Sequence, residues 1–349
     1  MKKAVKRSKT GMILIFTIAA LAVIAAAVMF LTPIKDSLSV RIGLLRLAGK
    51  YSDYKMTDIH NHDSGHYRRM ISKWKRWDFS RVVLFGSISS PEAVASDREA
   101  WEAYLQNPDI IIPYFSGFDL HDESCLEAVR DNFELGYFGI GETVAASTYS
   151  RYTANLEWKA EHPMDGYLPE IYELCAEYHA PILLHIDPPY GKPVEMLEEA
   201  LDTYPDTIFI FAHINAYTSP EFAAGLMRRH DNLYIDFFAG FTLHNPESQY
   251  TLEDFVPVAR EFPDRFMLST DSGADIKSEA AAAEAMYLFI DLLADGELAR
   301  KVAFGNYDAI LQAQPATGSQ LERLAEAGVE VDGVISKIDA GKLLAEAGD

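Results

Sequence analysis

The sequence predicts an α/β protein, a (β/α)8 TIM barrel preceded by one N-terminal transmembrane helix. Three observations lead there. Short apolar runs of strand length recur along the chain, helix-length patterns separate them, and side chains able to bind a metal sit at the ends of five of the runs. Strands alternating with helices imply a parallel sheet. In a closed parallel barrel, functional groups gather at the C-terminal ends of the strands.

From the N-terminus, residues 1–11 form a basic end carrying Lys2, Lys3, Lys6, Arg7 and Lys9, and residues 12–31 form a nearly unbroken apolar run. About twenty apolar residues cross a bilayer as a helix, whereas the apolar core of a signal peptide is about 7–15. A membrane anchor is therefore preferred to a signal segment cleaved near Ala25-Ala26-Ala27. The one-sided basic flank keeps the N-terminus cytoplasmic and places the rest of the chain outside the cytoplasm. Secretion after cleavage is the alternative. Residues 32–55 read as a linker whose apolar and basic stretch, 40–48, packs beneath the barrel.

The barrel is expected over residues 56–314. Its strands are read at 56–62, 81–86, 110–115, 137–142, 181–185, 207–213, 233–237 and 266–271. Runs that are apolar throughout are how strands covered on both faces appear. Helical patterns fill 124–133, 166–178, 193–203, 220–229 and 252–262. Residues 315–349 read as a helical C-terminal appendage, with Leu321, Leu324, Ala325 and Val329 near helical spacing, most simply solvated.

The first run, Met56-Thr57-Asp58-Ile59-His60-Asn61-His62, sets two imidazoles two residues apart. Side chains alternate faces along a strand, so His60 and His62 point the same way. Two neutral imidazole nitrogens converging on one point suit a borderline metal such as zinc. Glu142, His185, His213 and Asp271 end the fourth, fifth, sixth and eighth runs and supply further ligands. Any one of these alone is most simply a hydrogen-bonded core or surface residue. Their joint placement at one pole makes the case.

The ordered set His60-Asn61-His62, Glu142, His185, His213 and Asp271 resembles the amidohydrolase superfamily. The resemblance runs from Met56 to Leu311 and includes residues 301–309, similar to the Asn-containing helix start that follows the last strand there. It implies a divalent metal cofactor, most simply Zn(2+), as one or two ions. It also implies a metal-dependent hydrolase in which activated water attacks a C–O or C–N bond of a small-molecule lactone, ester or amide. Asp271 would be the catalytic base. With one ion, His60, His62, His185 and Asp271 would be ligands and His213 would polarise the substrate. With two, Glu142 would bridge them and His185 and His213 would hold the second. Glu142 could equally be a structural carboxylate. A non-oxidative metal-dependent decarboxylase on the same barrel is the main alternative. A TatD-like nuclease and a non-catalytic, membrane-tethered binding barrel rank lower.

Candidate substrate-binding residues lie in loops after the strands: Arg68 and Arg69, which could hold a carboxylate, with His121 and Tyr190. Surface cations balancing an acidic protein are the simpler account of the arginines. The net charge of −21 argues against nucleic acid, whose phosphates are bound by clustered Lys and Arg. Cys125 and Cys175 lie on expected outer helices, and two cysteines leave a disulfide open. An oligomer is compatible with all of this.

Overall fold

The computed structural model describes residues 38–276 and 278–348. The basic end and the apolar segment 12–31 lie outside these, and among the described residues no helix is long and apolar enough to cross a membrane. Residues 44–50 are helical and bury Leu44, Leu47 and Ala48 in the main core.

The strands are β1 (Met56–Asn61), β2 (Phe79–Leu84), β3 (Ile111–Phe115), β4 (Gly139–Ala146), β5 (Ile182–Ile186), β6 (Phe209–Phe211), β7 (Leu233–Phe237) and β8 (Phe266–Leu268). They form one eight-stranded sheet in sequential order, every neighbouring pair parallel. Each is followed by an outer helix: α1 (Tyr67–Arg76), α2 (Ala93–Gln106), α3 (Cys125–Leu135), α4 (Leu168–Glu177), α5 (Lys192–Thr203), α6 (Pro220–Arg229), α7 (Leu252–Glu261) and α8 (Glu279–Leu293). The helices cover the outside of strands that are buried along nearly their whole length, which accounts for the apolar runs.

Side chains join the seam between β8 and β1. The buried Asp58 carboxylate accepts from the Thr270 backbone N–H at 2.9 Å and from its hydroxyl at 2.6 Å. Burial pushes the Asp58 carboxyl up to about 6, against the lowering effect of its bonds from Thr270 and Asn61. Asn306 fixes the start of β8 by donating to the Pro263 and Phe266 carbonyls, each at 2.8 Å. Within the barrel, Gly139 makes room for Tyr114, because a Cβ there would stand 2.4 Å from the ring.

Three strands end elsewhere than in the sequence reading, in ways that matter for the site. β4 runs on to Ala146, so Glu142 lies inside the strand and not at its end. β6 and β8 stop after three residues each, and His213 and Asp271 follow them in left-handed backbone, at φ 34° and 43°. That conformation costs an ordinary residue about 1–2 kcal/mol and turns the chain out of the ladder and across the barrel mouth.

The C-terminal segment is helical but not a solvated appendage. Its helices Gly318–Glu326 and Lys337–Ala347 bury Leu324, Ala340 and Leu344 between them. Gln314 donates to the Phe138 carbonyl at 2.8 Å and Lys337 to the Tyr137 carbonyl at 2.9 Å, both just before β4. Burial lowers the Lys337 amine to about 7, partly opposed by the Glu134 charge. Helical spacing alone did not reveal the surface against which these side chains pack. Cys125 and Cys175 are buried free thiols.

Leu324→Ala should destabilise the protein by about 2–5 kcal/mol, as for other buried leucines, measured by urea denaturation. No change would show that the segment behaves as a free appendage.

Candidate metal centre

The six residues picked out from the sequence converge at the C-terminal end of the barrel. His60 and His62 bring their Nε2 atoms to 3.0 Å. Their other nitrogens are occupied. His60 Nδ1 lies 2.7 Å from Asp236 Oδ2, and His62 Nδ1 lies 2.9 Å from the Gly86 carbonyl. A ring nitrogen facing a carboxylate or carbonyl carries its proton there, so in the neutral tautomers both Nε2 lone pairs face one another. Only a shared proton or a metal ion makes such an approach favourable. Asp271 Oδ1 stands 3.5 Å from each of these nitrogens, and Glu142 Oε2 stands 3.8 and 3.6 Å from them.

The second half is built in the same way. His185 Nε2 lies 2.6 Å from Asp187 Oδ2, which leaves Nδ1 to face His213 Nε2 and Glu142 Oε1, both at 3.1 Å. His213 Nε2 is itself 2.9 Å from Glu142 Oε1. Glu142 therefore turns one oxygen to each histidine pair, and His60, His62 and Glu142 form one candidate metal-binding triad and Glu142, His185 and His213 another. Imidazole nitrogens and carboxylate oxygens at these positions fit a divalent transition ion such as zinc.

Electrostatics agree with the geometry. Burial works against charge on His60, but Asp271, Glu142 and Asp236 outweigh it and raise the imidazole to about 10. His185 is likewise raised to about 9 by Glu142 and Asp187 against its burial. Glu142 and Asp271, which burial alone would push up, are held below the ordinary carboxylate range by these imidazoles. An ion bound between these imidazoles would compete with their protons.

Several contributors escaped the sequence reading. Asp236, on β7, orients His60 and also accepts the His213 backbone N–H at 3.0 Å. Its signal was a lone carboxylate in the buried run Leu-Tyr-Ile-Asp-Phe. Asp187 follows β5 directly, ahead of Pro188 and Pro189. It takes bonds from His185, the Ser147 hydroxyl and the Thr148 and Tyr149 N–H groups, which outweigh its burial and lower its carboxyl. It stands two residues after His185, the same spacing that drew attention to His60 and His62. Gly86 is needed because a Cβ would lie 2.4 Å from Ser64 Oγ and Ser96 Cβ, which would displace the carbonyl that holds His62.

A cavity of about 770 Å³ opens over the cluster, lined on its apolar side by Ile88, Leu156, Phe238 and Phe241. None of Arg68, Arg69, His121 and Tyr190 lines it. Arg68 points to Glu102 at 3.7 Å, Arg69 is exposed, and His121 meets the Lys159 carbonyl at 3.1 Å. Tyr190 is exposed and packs on Tyr149. Arg68 and Arg69 lie on the first turn of α1 and not in a loop. The loop after β4 supplies Arg151 to the cavity in their place.

A sequence model of the amidohydrolase family matches residues 78–315, and the chain belongs to that family. The match begins after His60 and His62, which reach the site by geometry alone. An uncharacterized TIM-barrel protein from Bordetella bronchiseptica is 16% identical over 80% of this chain and 92% of its own, with a TM-score of 0.53. A probable 2-pyrone-4,6-dicarboxylic acid hydrolase from Acinetobacter baumannii, solved with citric acid, is 13% identical over 73% and 98%, TM-score 0.53. An amidohydrolase from Burkholderia multivorans with bound zinc is 8% identical over 73% and 98%, TM-score 0.52. At these identities the likeness is one of fold. No curated protein matches the chain.

Asp236→Ala should weaken zinc binding about 10–100-fold, measured by chelator competition, because it removes the acceptor that fixes the His60 tautomer. Unchanged affinity would show that the bond does not orient the ligand.

Proposed function

We propose that the protein is a metal-dependent hydrolase that uses two divalent ions, most simply zinc, bridged by Glu142, and cleaves a C–O or C–N bond of a small-molecule ester, lactone or amide. The observation that carries this is the division of the Glu142 carboxylate between two imidazole pairs. His60, His62 and Asp271 would hold one ion, and His185 and His213 the other. Ions bound there would lower the pKa of water toward neutrality and polarise the substrate oxygen.

The remaining chemistry belongs to the chain. The surrounding imidazoles favour the ionised form of Asp271, which is partly exposed to the cavity, so it would accept a proton and return it to the leaving group. Asp236 fixes which nitrogen His60 presents, and Asp187 does the same for His185. The cavity suits a small molecule with an apolar part. The acidic balance of the chain, −21, disfavours the nuclease reading.

Turnover of a panel of aryl esters, lactones and anilides in heavy-oxygen water should place the label in the product. Asp271→Asn should lower kcat by about 10²–10⁴-fold. Release of carbon dioxide from carboxylated substrates with no label incorporated would establish a decarboxylase and contradict hydrolysis.

We further propose that residues 12–31 anchor the barrel outside the cytoplasm, on the strength of their apolar length and basic flank. Protease added to spheroplasts should then digest the barrel. Protection until lysis would contradict this.

A further inference from the structure

The metal cluster accounts for one end of a substrate and leaves its other end without a receptor. The cavity wall is acidic beyond the cluster, with Glu92 and Asp275 on its rim, and Arg151 is the one Arg or Lys among the described residues that line it. Its place in the cavity lining sets this arginine apart from Arg68 and Arg69, and two further features bear on its role.

It is held in place. Arg151 Nη2 donates to Asp275 Oδ1 at 2.8 Å and to the Tyr152 hydroxyl at 2.5 Å, and the guanidinium lies 4.7 Å from the Tyr152 ring centroid. The Tyr152 hydroxyl also donates to Asp275 at 3.2 Å. A guanidinium fixed by an ion pair and a ring face has already lost much of the rotamer freedom that binding would cost. It is also only partly used. Nε and Nη1 have no partner among the described residues, and the side chain is 73% exposed. The open edge matches the planar geometry of a carboxylate.

We infer that Arg151 is a specificity-determining residue that receives the carboxylate of an anionic small-molecule substrate whose scissile bond lies over the histidine cluster. The inference rests on the hydrolase reading above and names its substrate class. The apolar wall at Leu156, Phe238 and Phe241 would take the body of the molecule. A plain surface ion pair tying the loop after β4 to the loop after β8 is the competing account, and such pairs contribute little.

The test uses the zinc-loaded full chain and a series of alkyl hydroxamates of varied length, ending in either a carboxylate or a primary amide. The hydroxamate end ligates zinc, and the other end reports on Arg151. At the best length the carboxylate member should bind about tenfold more tightly than the amide, the scale of a partly exposed charge-assisted contact. Arg151→Met should abolish that preference with zinc content unchanged, and Arg151→Lys should retain part of it. Asp275→Asn should keep the preference, since it removes only a competing carboxylate. Equal binding of both members by the native protein, or a preference that survives Arg151→Met, would overturn the assignment. So would equal loss of both members' binding in Arg151→Met and Asp275→Asn, the mark of a structural tie. Failure of every hydroxamate to bind would instead defeat the metal reading beneath it.

Discussion

A carboxylate buried at the centre of the barrel cannot stand alone. Removing a charged carboxylate from water costs several kcal/mol unless positive charge and hydrogen bonds replace the solvent. Glu142 meets that requirement with four imidazoles, two beside each oxygen. The arrangement in turn confronts ring nitrogens at 3.0 and 3.1 Å, which is favourable only with protons or cations between them. The site is therefore balanced by what it binds, and the rest of the barrel end is organised to keep the nitrogens facing inward.

That organisation runs outward in layers. Asp236 and Asp187 fix the tautomers of His60 and His185, and the Gly86 carbonyl fixes His62. Asp58 ties β8 to β1 directly beneath these groups. Behind it, Glu279 accepts from the Trp74 indole at 2.8 Å and from Asn61 at 3.1 Å, and burial raises its carboxyl to about 7. The early ends of β6 and β8 free His213 and Asp271 to turn over the mouth in left-handed backbone. Both departures place a residue of the candidate metal centre.

The barrel was legible because strands covered on both faces leave continuous apolar runs, and because ligands at the ends of such strands break those runs with conspicuous polar residues. His60, His62, His185, His213 and Asp271 carry that signal. Glu142 carried it for a different reason, since β4 continues beyond it. Asp236 and Asp187 were harder to see because one lies within a run and the other in a proline-bearing loop, where turn chemistry offers a sufficient account. The substrate-binding residues could not be read at all. Which of many loop cations faces a cavity depends on loop paths that local sequence does not set, so Arg68 and Arg69 were named where Arg151 lines the wall. The packing of residues 315–348 was hidden for the same reason: a helical stripe does not say which surface it meets.

The central claim is that Glu142 separates two ion sites. Anomalous diffraction from crystals of the zinc-loaded full chain tests it most directly. The account predicts two peaks, one beside His60, His62 and Asp271 and the other beside His185 and His213, with Glu142 between them. A single peak at saturating zinc, or peaks away from these side chains, would contradict it.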